Sequence, residues 1–175
     1  MTLSCAELSW IEQQLGGRVV AVEQQVRWRP HYFLTVDRDG ERLSVLARCG
    51  RKLEEVRGTR MLTHFDIHHE ASVLAALDGR GLKIPRFYGF SPEYRMVLME
   101  RLPGTNLLAE APDDATRQAI LFEYYEELAR LHKLDITSLD LAGIDVPTTP
   151  EEIAFKGKFA FAEEDYLRLR DKLRP

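Results

Sequence analysis

The spacing of apolar residues changes period once along this chain, near residue 104. Before that point short apolar runs alternate with polar residues or end at turn residues. After it they recur at helical spacing. Ser4-Cys-Ala-Glu7 has the form of a capping box, in which a serine oxygen and a glutamate carboxylate each satisfy a backbone N–H. Leu8, Ile11 and Leu15 follow on one face, so a helix is predicted over 4–15, ended by Gly16-Gly17. Arg18 to Val26 reads as a strand rich in β-branched residues. Val26-Arg-Trp-Arg-Pro30 interrupts it. Tyr32 to Val36 and Arg42 to Arg48 are the next two strands. Asp39-Gly40 between them suits a tight hairpin, whose two central residues need φ > 0. Residues 49–62 are polar and basic and read as a loop. Thr63 caps a predicted helix to Leu77, with Ile67, Ala71, Leu74 and Leu77 as its apolar face, stopped by Asp78-Gly-Arg-Gly81. Beyond Pro85, Arg86 to Phe90 and Arg95 to Glu100 are two more strands around a Ser91-Pro92 turn.

The fifth strand leads into Met96-Val-Leu-Met-Glu-Arg-Leu-Pro-Gly104, where an apolar run stops at a charged pair and the chain turns. A strand leaving a sheet exposes unpaired backbone N–H and C=O groups, which a flat heteroaromatic ring can use. An ordinary strand end before a Pro-Gly turn explains the same residues. Pro112-Asp-Asp-Ala then opens a long helix with Leu121, Tyr124, Leu128 and Leu131 on one face, and Arg130, His132 and Lys133 suit its C-terminal dipole. Thr149-Pro-Glu-Glu152 starts a further helix that runs almost to Pro175. Pro103-Gly104 is the best boundary, giving segments 1–103 and 104–175.

Composition narrows the class without naming it. The chain has 175 residues, 45% hydrophobic and 30% charged, as expected of a globular protein. Twenty-four Lys and Arg against 28 Asp and Glu leave a net charge of −4, so no basic field favours nucleic acid. No apolar run reaches membrane-spanning length, and the N-terminus lacks a basic and apolar leader. Cys5 and Cys49 form no metal spacing and are expected as reduced thiols in a cytoplasmic protein.

Four constellations could carry chemistry. Leu46 and Arg48 share one face of the third strand, and Glu70 lies on the helix that follows. A strand cation held by a helix carboxylate is a way to aim charge at nucleotide phosphates, although exposed charges on such elements are common. Arg27 and Arg29 lie where a phosphate-covering loop would be, but the stretch has no glycine with which to cradle phosphate. His64, His68 and His69 read as a solvated helix face, since no cysteine or acidic cluster completes a metal set. His132-Lys-Leu-Asp135 with Asp140 imitates a catalytic loop in the wrong register and reads as a helix end.

Arg27-Trp-Arg-Pro30, Arg48, Glu70 with the helix to Leu77, Ile84-Pro-Arg-Phe-Tyr-Gly89, Val97 to Gly104 and Leu128-Ala-Arg-Leu-His132 occur in that order. The ordered set resembles the aminoglycoside phosphotransferase and choline kinase-like family, particularly its bacterial phosphotransferase branch, from about Gly17 onward. The resemblance implies an α+β, protein-kinase-like fold. Its first lobe is a five-stranded antiparallel sheet with one packed helix, followed by a hinge and the start of a helical C-lobe. It implies ATP as the nucleotide and a small-molecule hydroxyl as acceptor. Arg48 takes the place of the strand lysine that contacts the α- and β-phosphates, and Glu70 holds it. The Glu100 carbonyl and Leu102 N–H would bond the adenine edge, Leu46 would roof the ring, and Arg27 to Pro30 would be the phosphate loop. Arginine in place of lysine is a departure, because a guanidinium chelates two oxygens where an ammonium acts as a point charge.

The family continues to a His-Gly-Asp-x-x-x-x-Asn type of loop and then a Mg²⁺-binding aspartate, neither of which these residues contain. The expectation is therefore the nucleotide-binding half of a phosphotransferase, without catalytic residues or metal ligands of its own. Mg²⁺ is expected only with the remaining half. The alternative is a naturally short, non-catalytic module that senses nucleotide or binds protein. No nucleic acid or membrane partner is expected, and the acceptor and oligomeric state stay open.

Overall fold

A computed structural model describes residues 3–25, 30–50, 67–105, 107–141 and 144. Residues Met1–Ala142 form one compact unit, and Gly143–Pro175 form a second, which lies outside the described residues except for Ile144. The predicted helix after Thr149 falls in that undescribed part.

The first unit is built on one antiparallel sheet. Its strands are β1 (Arg18–Gln25), β2 (His31–Arg38), β3 (Glu41–Cys49), β4 (Phe87–Ser91) and β5 (Met96–Glu100), in the order β1-β2-β3-β5-β4. The β2–β3 hairpin has Arg38 opposite Glu41, and Asp39 and Gly40 take φ of 52° and 90°, as the sequence of that turn requires. The strands begin or end a residue or two from the predicted limits. β2 gains His31, Asp37 and Arg38 because the hairpin pairs right up to its turn.

The sheet carries a helix on each face, the predicted N-terminal helix on one and the packed helix of the expected lobe on the other. Helix α1 (Cys5–Leu15) has the predicted capping box, with Glu7 N–H donating to Ser4 Oγ at 3.3 Å and Ser4 N–H to Glu7 Oε2 at 2.7 Å. Gly16 closes it in the left-handed conformation, φ 63°. Ile11 and Leu15 bury against Tyr32, Leu34, Val36, Val45, Ala47, Cys49, Met96 and Leu98. Gln14 ties the helix to β4 by donating to the Tyr88 carbonyl at 3.0 Å. Gly17 lies so close to β2 that an added Cβ would stand 2.6 Å from the Asp37 carbonyl oxygen, so this position admits no side chain without movement.

Helix α2 (Ile67–Leu77) covers part of the opposite face, where Ile67 and Ala71 pack on Val97 and Met99 with Leu46, Leu74, Phe87 and Phe90 around them. The predicted cap at Thr63 and most of the loop before it lie outside the described residues. Helix α3 (Asp114–His132) follows β5, capped by Asp113, whose carboxylate accepts from Thr116 N–H at 2.7 Å. That bond holds the Asp113 carboxyl below the usual range. No residue of α3 is buried. Leu121 and Leu131 of the predicted apolar face are exposed, as are Phe122, Tyr124 and Tyr125.

Candidate functional site

Strand alternation sets the site. Val45, Ala47 and Cys49 point into the α1 side of the sheet, so Leu46 and Arg48 must point to the other. On that face the register brings together two cross-strand rows. Phe33, Leu46 and Met99 form one; His31, Arg48 and Val97 form the next.

The same face receives α2. Ile67 and Ala71 seat the helix on β5, and Glu70, in the turn between them, reaches β3. Arg48 Nη1 meets Glu70 Oε1 at 2.8 Å, with 35% and 25% of the two side chains still exposed. The pair is thus anchored on its protein side and open on another. Arg48 Nε is buried and has no hydrogen-bond partner among the described residues. An unmet N–H on a charged group costs free energy unless an acceptor is supplied.

The end of β5 is the second part. Glu100 N–H donates to the Arg86 carbonyl at 2.9 Å. A regular antiparallel pair would return the bond from Arg86 N–H to the Glu100 carbonyl. Instead Arg86 N–H donates to the Glu100 carboxylate, Oε2 at 3.2 Å. The side chain takes the donor, and the Glu100 carbonyl is left without one among the described residues. Arg101 N–H still reaches the Ser44 carbonyl at 3.1 Å, and there the pairing ends. Leu102 is half exposed, its N–H has no acceptor among the described residues, and Gly104 turns the chain at φ 104°. Tyr88 lies nearby; burial, then the Glu100 carboxylate, push its phenol up from the ordinary value.

The structure therefore brings Leu46, Arg48 and Glu70 together on one face, with Glu100 and Leu102 at the exit of the adjacent strand. Arg27 and Arg29 lie outside the described residues. So does His64, and no group of three or more His, Cys, Asp or Glu side chains able to hold a metal occurs among the described residues. His68 packs on the Phe90 ring instead, 5.4 Å between centroids.

Two further residues belong to this face. Phe33 is the cross-strand partner of Leu46, and the Arg101 guanidinium lies over its ring, 3.8 Å from the centroid. The signal for Phe33 was present in the hairpin: counting back from Asp39-Gly40 pairs it with Leu46. The stretch between α2 and β4 is tied to α3 and to the turn after it. Lys83 Nζ meets Glu123 at 2.8 Å, Lys83 N–H donates to Glu127 at 3.0 Å, and Arg80 Nη2 donates to the Ser138 carbonyl at 2.9 Å. The bond between Lys83 and Glu123 raises the lysine and lowers the carboxyl from their ordinary values.

A five-stranded antiparallel sheet with a strand arginine held by a helix carboxylate, ending in an open strand exit, is the N-terminal lobe of a protein-kinase-like fold. The model of the phosphotransferase enzyme family (APH) matches residues 32–173, and the chain belongs to that family. No curated protein and no solved structure gave a significant match. Among the described residues no helix is long and apolar enough to cross a membrane.

Proposed function

We propose that residues 1–103 form the ATP-binding lobe of a small-molecule phosphotransferase, with the strand exit at Glu100 to Gly104 as its hinge. The observation that carries this reading is the Arg48–Glu70 pair. A guanidinium fixed at one Nη by a carboxylate, with about a third of its side chain still exposed, has further N–H groups to offer to phosphate oxygens. The Glu100 carbonyl and the Leu102 N–H offer an acceptor and a donor two residues apart, the complement of a purine's amino and ring-nitrogen edge. Leu46 supplies the apolar roof. Arg27 and Arg29 would add charge over the phosphates.

Phosphoryl transfer also needs a base and metal ligands. The chain's one asparagine is Asn106, directly after the strand exit, so these 175 residues contain no His-x-Asp-x-x-x-x-Asn loop. Among the described residues no set of side chains fits Mg²⁺ on its own. Nucleotide binding without transfer is thus the activity proposed for these residues.

Isothermal titration of the chain with ATP, with and without Mg²⁺, tests the reading. Saturable one-to-one binding with no transfer of label to water or to an added alcohol is expected. Absence of ATP binding by the folded protein would overturn it.

A further inference from the structure

Arg101 occupies the face on which a base would have to lie. Its backbone is pinned to Ser44, so only the side chain is free to move. The side chain follows Val97 and Met99 in alternation onto the open face and crosses to the Phe33 ring, 3.8 Å from its centroid. No carboxylate pairs with it among the described residues, so the ring is its main partner there. Phe33 adjoins Leu46 across the sheet, and Leu46 adjoins Met99. A planar cation on Phe33 therefore covers the strip beside Leu46 that leads from the strand exit.

We infer that Arg101 is a specificity-determining residue that fills this strip when no base is bound and must leave the Phe33 ring for a purine to enter. The inference rests on the nucleotide reading above. An exposed cation over a half-buried ring is weakly held, so a planar base making hinge bonds and stacking contacts displaces it. Bases that gain fewer of those contacts are discriminated against, because each must first break the same stack.

Adenosine is the probe, since it carries no phosphate to respond to the lost charge. Calorimetric titrations would compare the wild type, Arg101→Ala, Phe33→Leu and the double variant, each checked for folding by circular dichroism. Arg101→Ala is expected to tighten adenosine by about two- to five-fold, the worth of an exposed cation–π contact. In the Phe33→Leu background the same change should alter Kd by less than about 1.5-fold, because the cation then has no ring to hold it. Weaker or unchanged binding in Arg101→Ala, or equal tightening with and without Phe33, would overturn the inference while leaving the nucleotide reading intact. If neither the wild type nor Arg101→Ala binds adenosine while ATP still binds, the inference alone fails; if ATP binding is absent as well, both fail together.

Discussion

Cys49 and Arg48 are neighbours in sequence that face opposite sides of β3, and this splits their chemistry. Arg48 keeps about a third of its surface and a charged partner. Cys49 is buried on the α1 side, where burial and then the Glu7 carboxylate push its thiol up to about 12. The folded state holds the thiol proton more tightly than the unfolded chain, whose ordinary value is 9.0. The contribution to stability is whole below that value and is lost as pH rises through the window up to about 12. Wild-type stability to urea should therefore fall between roughly pH 9 and 11 more steeply than that of Cys49→Ala, by up to ~1.4 kcal/mol per pH unit. Equal slopes would show that Cys49 does not titrate this way. The sequence placed Arg48 and Leu46 on one face by simple alternation. It did not show Phe33 beneath Arg101, since a cation–π contact depends on which rotamer a long side chain adopts over a neighbouring strand.

At the scale of elements, local signals were the most readable. The capping box, the Gly16 cap, the Asp39-Gly40 turn and the Asp113 start of α3 each act through residues three or four apart, and each is found where the sequence put it. The pairing of Arg48 with Glu70 was legible through the family resemblance, because the residues alone read as well as exposed charges on a strand and a helix. What was not legible is the placement of α1. Its amphipathic face required burial, but nothing local specified which sheet face would receive it. The observed packing makes a ranked prediction. Ile11→Ala removes a fully buried side chain and should cost about 2–5 kcal/mol, whereas Ser4→Ala loses one exposed cap and should cost ~1 kcal/mol. Thermal or urea denaturation of both variants checks the order. A Ser4→Ala cost equal to that of Ile11→Ala would mean that α1 is held by its end and not by its face.

For the whole molecule, the described residues combine a well-packed sheet with a helix, α3, attached through polar bonds from Lys83, while Arg80 bonds the Ser138 carbonyl just beyond that helix. Lys83, Glu123 and Glu127 are ordinary charged surface residues in the sequence, and the lysine lies forty residues or more from either glutamate, so no pattern announced these bonds. The change of period near Gly104 was legible, and it lies within the first compact unit. On the proposed function, this unit binds ATP by two separable means: Arg48 for the phosphates and the β5 exit for the base. The direct measurement is calorimetric titration of wild type and Arg48→Ala with ATP and, separately, adenosine. Loss of a charge-assisted contact should weaken ATP at least about ten-fold in the variant. Adenosine should change by less than about two-fold, because the base contacts come from another strand. Equal losses for the two ligands, or no change for ATP, would contradict the role assigned to Arg48.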